Sequence, residues 1–293
     1  MADPDISKSA DLPTDATAWQ RPQDPPILGN ADVHVWRVFI PDIPRQPARP
    51  SYMEINDGPP GLERLRAWLT PEERERAARY RFDADRRRFA WTRGILRALL
   101  ASYVDCLPDQ IHFGTAFKGK LHLSASHHPA HGGLRFNVSH SHEWALIALA
   151  RDREVGVDVE HHRPLHHDLF DIAARFFAPA EVGALRALAP AEQEPAFFRI
   201  WSRKEAYIKA TGEGVSAGLD TFEVSIGIHP AVSLRVLGRP ADAARWMMRS
   251  LDVGPDYGAA LAVEAIEGRD VELKLWDWSG VAVPTPPTRP RPS

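Results

Sequence analysis

Two stretches of this 293-residue chain run through the same order of segments, and that repetition limits the available folds more than any other feature. In the first, the alternating run Asp32-Val33-His34-Val35-Trp36-Arg37-Val38-Phe39-Ile40 predicts a strand. A Pro-rich loop follows, then a short helix over residues 61–69 and a helix restarted at Thr70-Pro71-Glu72-Glu73. Thr70 has the chemistry of an N-cap, Pro71 suits the first helical position, and Glu73 completes a capping box. Helix is expected through 74–80 and 85–103, with Phe89, Ile95, Leu96, Leu99 and Leu100 as its apolar stripe. Short strands then cover 111–123.

The second stretch repeats the plan. A strand at 155–160 leads to a His- and Pro-bearing loop, a helix at 169–177, a Pro-started helix at Pro179-Ala180-Glu181 and a long helix over 197–210. From Pro71 to Trp91 and from Pro179 to Trp201 the separations are 20 and 22 residues. Strands around 222–228, 232–237, 246–253, 259–264 and 271–278 complete it. The fold class this predicts is α+β, with two α/β halves, 31–150 and 151–278, packed face to face and a ligand crevice between them. Residues 1–30, rich in Pro, Asp, Ala and Ser without a period, read as a disordered leader, and 279–293 as a polyproline-like tail.

Bulk properties exclude several classes of function. A hydrophobic share of 44% and a charged share of 26% describe an ordinary globular protein. The net charge of −3 provides no global field for nucleic acid, so any anion site must be a local cluster. No run approaches membrane-spanning length and no signal pattern opens the chain. With one cysteine, Cys106, a disulfide framework is excluded and a reducing, cytoplasmic setting is expected.

Chemistry concentrates in two segments. In Val155-Gly156-Val157-Asp158-Val159-Glu160 the side chains alternate, so the valines share one face and Asp158 and Glu160 the other. Two neighbouring carboxylates repel unless a cation stands between them, and Mg²⁺ is the economical choice. Just upstream, Ser139-His140-Ser141-His142 ends a strand begun near Phe136. The second segment is helical, and Trp201, Glu205 and Lys209 fall one turn apart on one face. Glu205 and Lys209 read either as a surface ion pair or as a third acidic group beside Asp158 and Glu160 with a lysine near phosphates. The histidines at 127, 128, 131, 161, 162, 166 and 167 lack thiolate partners and helical pairing, and read as loop residues; His142 reads as a turn residue.

Three blocks, Phe136-Asn137-Val138-Ser139-His140-Ser141, the run from Val155 to Glu160, and Trp201-Ser202-Arg203-Lys204-Glu205-Ala206-Tyr207-Ile208-Lys209, resemble the 4′-phosphopantetheinyl transferases of the surfactin-synthetase-activating type. Residues 70–80 and Gly119-Lys120 add weaker matches, and the likeness spans about 31–265. The resemblance implies a monomer of two pseudo-symmetric halves in the 4′-phosphopantetheinyl transferase fold. It implies transfer of the phosphopantetheine arm of coenzyme A to a serine of an acyl or peptidyl carrier protein of fatty acid, polyketide or nonribosomal peptide synthases, releasing adenosine 3′,5′-bisphosphate.

By that resemblance Asp158, Glu160 and Glu205 hold Mg²⁺ or Mn²⁺, and Glu205 also takes the serine proton, directly or through a metal-bound water. Lys209 neutralises charge on the phosphate, His140 contacts the pyrophosphate, Ser139 the nucleotide, and Lys120 lies along the adenine and phosphates. Arg76 and Arg88 supply the 3′-phosphate pocket. A further basic residue common in the family three positions before Arg76 is replaced here by Glu73, so Arg86, Arg87 or Arg93 are candidates to compensate; a solvated helix face is the other reading of this cluster. Two other functions are compatible with the same residues: a Mg²⁺-dependent phosphodiesterase or pyrophosphatase, and a non-catalytic coenzyme A binding protein.

Overall fold

The structure, a computed structural model, describes residues 18–24, 26–40, 61–116, 119–124, 133–165, 168–214 and 218–278. Expectations for the far N-terminus, the tail 279–293 and the histidines at 127, 128, 131, 166 and 167 lie outside the described residues. The first half comprises β1 (Asp32–Phe39), α1 (Leu62–Ala67), α2 (Pro71–Ala78), α3 (Asp83–Val104), β2 (Phe113–Thr115), β3 (Leu121–Leu123), β4 (Leu134–Ser141) and β5 (Trp144–Arg151). In the second half β6 (Val155–His161), α4 (Leu169–Phe176), α5 (Pro179–Arg186), α6 (Pro190–Thr211), β7 (Phe222–Val224) and β8 (Ala231–Val232) come first. They are followed by β9 (Leu234–Val236), α7 (Pro240–Ala243), β10 (Trp246–Ser250), β11 (Tyr257–Glu264) and β12 (Glu272–Asp277).

Each half builds a sheet from its first strand and its last hairpin. The orders are β12-β1-β5-β4 and β6-β11-β10-β8. Val33, Val35, Leu146, Ala148 and Ala150 from one sheet meet Val155, Val157, Val159, Leu261 and Val263 from the other in a single buried cluster, so the sheets pack face to face. On their outer faces lie the long helices. Ile95, Leu96, Leu99 and Leu100 of α3 cover Trp36, Val38, Ile147 and Leu149. Phe197, Ile200, Ala206 and Ala210 of α6 cover Met248, Ala260 and Ala262.

The duplication extends to single positions. Helices α3 and α6 both have 22 residues. Glu73 caps α2 through the Thr70 backbone at 3.1 Å and accepts from Arg97 Nε at 2.8 Å. Glu181 caps α5 through the Ala178 backbone at 2.9 Å and pairs with Lys204 Nζ at 2.7 Å. Arg97 and Lys204 occupy the same place in their helices, so Trp91 corresponds to Phe198, and the apparent match of Trp91 with Trp201 is out of register.

Two parts of the chain differ from the expected division. β12 leaves the second half and pairs parallel with β1, Val35 opposite Leu275, because its alternating Leu273 and Leu275 complete the core between the sheets. Part of the expected leader is also built in. Gln20 N donates to Leu275 O at 2.9 Å, Leu28 is buried, and Trp19 stacks over Arg37 at 4.6 Å while its Nε1 reaches Asp252 O. Helix α6 begins at Pro190, earlier than expected near 197.

Candidate active site

Edge strands β4 and β6 lie side by side, joined through β4 side chains. Asn137 Oδ1 accepts from Val157 N at 3.0 Å, Ser139 Oγ donates to Asp158 Oδ1 at 2.8 Å, and Ser141 Oγ donates to Glu160 Oε2 at 3.2 Å. Alternation therefore spends the odd positions of β4 on β6 and turns His140 the other way, toward α3. On β6 the same rule puts Gly156, Asp158 and Glu160 on the α6 side. Gly156 is what lets the helix come down: a Cβ there would stand 2.2 Å from Ala206 O and 2.3 Å from Ala210 N. Gly258 of β11 does the same beneath Phe198, where a Cβ would meet its carbonyl oxygen at 2.6 Å.

That close seat brings Glu205 and Lys209 over Asp158. Lys209 Nζ lies 2.5 Å from Asp158 Oδ1 and 2.9 Å from Ser139 Oγ, so it bonds across the two halves and makes no surface pair with Glu205. Asp158 is 2% exposed, and its Oδ2 is buried without a partner among the described residues. Burial raises the Asp158 carboxyl, opposed by Lys209. Burial likewise pushes Glu160 up to about 7, with the Asp158 charge adding to the rise. Glu205 is raised by burial first and by Asp158 second. Both outer carboxylates thus feel the central one.

Among the described residues no group of three or more His, Cys, Asp or Glu side chains stands close enough to hold a metal without movement. The donor chemistry fits a hard cation nonetheless. A buried oxygen of Asp158 is unpartnered among the described residues and two flanking carboxylates are held up by burial and by its charge, conditions that a divalent ion relieves.

Cationic groups flank the carboxylates. Surrounding protein lowers the His140 imidazole below its ordinary value, and the charges of Arg88 and Lys209 act in the same direction, which places all three in one neighbourhood. Arg88 itself pairs with Asp85 at 3.2 Å. Arg76 is exposed on α2, its guanidinium 5.4 Å from the Phe89 ring. Lys120 is tied down: its Nζ contacts Glu154 Oε2 at 2.8 Å and Ala210 O at 3.1 Å, so this first-half lysine caps the C-terminus of α6. Of the arginines that could compensate for Glu73, Arg93 is engaged by that glutamate at 3.6 Å. Arg86 and Arg87 pair with Asp83.

Sequence reasoning treats Arg203 and Lys204 only as letters of a matching block, yet both are fully buried. Lys204 donates to Leu219 O at 2.7 Å and pairs with Glu181. Arg203 binds the carbonyls of Ser225 and Gly227 and the hydroxyl of Ser250, fixing the loop after β7 to α6. Charges flanked one turn away by Ile200 and Ile208 are the signal that could have revealed this. His142, at φ 52°, is the expected turn residue, stacked 4.4 Å from His161.

A sheet pair bearing carboxylates on one edge, with lysine, histidine and arginine beside them, carries the groups that an enzyme handling phosphate esters needs. Comparison narrows the class. The family described as 4′-phosphopantetheinyl transferase superfamily matches residues 154–262, and 4′-phosphopantetheinyl transferase, N-terminal, matches 59–152. The 4′-phosphopantetheinyl transferase HetI of Nostoc sp. (strain PCC 7120) is 36% identical over 247 residues, 84% of this chain and 92% of the relative. A 4′-phosphopantetheinyl transferase of Bacillus subtilis is 30% identical across 73% of this chain and 91% of its own. Sfp of Bacillus subtilis (strain 168) is 29% identical across 68% and 84%. The chain belongs to the 4′-phosphopantetheinyl transferase superfamily and is an enzyme of the holo-[acyl-carrier-protein] synthase type.

Proposed function

We propose that the protein transfers the 4′-phosphopantetheine arm of coenzyme A to a serine of an apo acyl or peptidyl carrier protein, with Mg²⁺ as cofactor and adenosine 3′,5′-bisphosphate as leaving product. The observation that carries this reading is the buried Oδ2 of Asp158, without a partner among the described residues, beside Lys209 and between two carboxylates raised by burial and by its charge. Asp158, Glu160 and Glu205 would hold the ion. Bound there, it draws charge from the pyrophosphate oxygens and improves the leaving group.

The remaining work belongs to side chains. Glu205, directly or through a water, accepts the serine proton as the new O–P bond forms and the pyrophosphate P–O bond breaks. Lys209 reaches the reacting phosphate when it exchanges Asp158 for substrate. His140 and Arg88 meet the negative charge from the α3 side, Arg76 and Arg88 take the 3′-phosphate, and Ser139 holds the nucleotide. Lys120, at the end of α6, lies along the adenine side. Positioning and neutralisation of charge supply most of the rate in such phosphoryl-type transfers.

We infer a monomer working in the cytoplasm. Burial pushes the lone Cys106 thiol up to about 11, which keeps it unreactive, and among the described residues no helix is long and apolar enough to cross a membrane. The deciding experiment incubates the protein with coenzyme A and Mg²⁺, with and without apo acyl carrier protein, and reads intact masses. A carrier heavier by one phosphopantetheine is expected. Coenzyme A breakdown without carrier would instead establish a phosphodiesterase or pyrophosphatase, and binding without any turnover a coenzyme A binding protein.

A further inference from the structure

Between α2 and α3 the chain displays a surface that none of these roles uses. Phe82, the N-cap residue of α3, is 60% exposed, and Tyr80 is 36% exposed. Single exposed apolar residues are common and need no explanation. Here, however, the aromatics are set among cations: with Arg76 and Arg88 assigned to coenzyme A, five further arginines stand against three carboxylates over residues 74–88. Asp83 is taken by Arg86 and Arg87 and Asp85 by Arg88, whereas Arg79 and Arg81 have no carboxylate partner among the described residues. The Arg81 guanidinium lies 5.3 Å from the Phe82 ring, and the Tyr80 ring lies 5.7 Å from that of Phe89.

This surface adjoins an arginine assigned above to coenzyme A, since the Tyr80 ring and the Arg76 guanidinium both lie against Phe89, at 5.7 and 5.4 Å. Phe82 precedes Arg88 by six residues of helix, about 9 Å along the axis, and the Arg88 charge acts on His140. Aromatic and arginine side chains are the types that protein interfaces concentrate and that carry their binding energy. Nucleic acid also favours arginine and aromatic groups, but the net charge of −3 provides no wider attraction for it.

We propose that Arg79, Tyr80, Arg81 and Phe82 dock the protein substrate through an acidic segment of it that presents an apolar side chain to Phe82. The proposal rests on the transfer to carrier proteins argued above. It is tested with the full chain by measuring KM for apo acyl carrier protein and, separately, for coenzyme A. The parent is compared with Phe82→Gln and with the double variant Arg79→Ala, Arg81→Ala, at low and high salt. The expected result is a carrier KM raised about fivefold or more in both variants, with coenzyme A KM and melting temperature unchanged. In the arginine variant the salt dependence of carrier KM flattens. An unchanged carrier KM alongside normal transfer overturns the docking surface and leaves the transferase reading standing. A coenzyme A KM that rises in step overturns it in favour of a nucleotide pocket. Binding of a single-stranded RNA that both variants abolish, with carrier KM unmoved, assigns the surface to nucleic acid. Failure of the parent to modify any apo carrier removes both readings together.

Discussion

Asp158 keeps one oxygen against Lys209 and Ser139 and leaves the other without a partner among the described residues, an arrangement that costs solvation and that the proposed cation would relieve. In Asp158→Ala the charge that adds to the burial of Glu160 and Glu205 in raising them disappears and Lys209, which is partly exposed, can turn to water. The apoprotein should therefore stay within about 1 kcal/mol of the parent in thermal or urea unfolding. Transfer should fall by on the order of 10²-fold or more, and added Mg²⁺ should raise the melting temperature of the parent alone. His34 makes a separate contribution to stability in acid, opposite in sign to that of the raised Glu160 carboxyl. His34 is fully buried between Tyr103, at 2.7 Å, and Asp32, and burial lowers its imidazole from 6.5 to about 4. Below 6.5 the unfolded chain takes up this proton and the folded one does not, so the His34 contribution to stability drops as pH falls through the window to about 4. The full difference is roughly 3 kcal/mol. In His34→Gln, urea unfolding from pH 7 to 4 should show a correspondingly shallower decline. Asp158 and Glu160 were legible in sequence because period two admits few readings of that run. The Lys209–Ser139–Asp158 contact was not, since it joins three elements whose spacing only packing decides.

The seating of α6 is a backbone matter, settled at Gly156 and Gly258. Gly156→Ala must force the helix off β6, because the atoms it meets are backbone and cannot rotate away. A loss of about 1–3 kcal/mol is expected in thermal unfolding, with kcat falling because Glu205 and Lys209 ride on that helix. Gly183→Ala is its counterpart: a Cβ there meets nothing within 4 Å, and the residue lies inside α5. This variant should gain roughly 0.5–1 kcal/mol with unchanged kcat. The elements themselves were readable where local chemistry specifies them. The capping box of Thr70 and Glu73 forms as its residues require, with Thr70 Oγ1 accepting from Glu73 N at 3.3 Å. Buried charge was harder to read. Arg203 and Lys204 bond mainly to carbonyls of the Leu219–Phe222 turn and the loop after β7, and a carbonyl partner leaves no mark in side-chain composition.

Across the whole molecule the two halves share a plan and divide the labour. Strands β5 and β11 have the same length and burial pattern, and their fifth residues, Ala148 and Leu261, pair with Val35 and Val157. Continuing along each first strand, Trp36 stands where the second half has Asp158, and Val38 where it has Glu160. The first half therefore spends on packing the positions that the second spends on chemistry, and the Trp36 indole bonds Tyr103 Oη at 2.9 Å. The repeated order of segments made this architecture legible. The return of β12 was not, because parallel pairing between positions 240 residues apart follows from edge complementarity and not from local pattern. A chain ended before Val271 should lose the cover that Leu273, Leu275 and Trp278 give the first half. It should aggregate or melt well below one ended after Trp278, by light scattering and calorimetry. The same closure orders events on the ribosome. β1 is made about 240 residues before β12, so its outer edge stays open until β12 emerges. Through most of synthesis that edge is a place where a chaperone, or a neighbouring nascent chain, can pair.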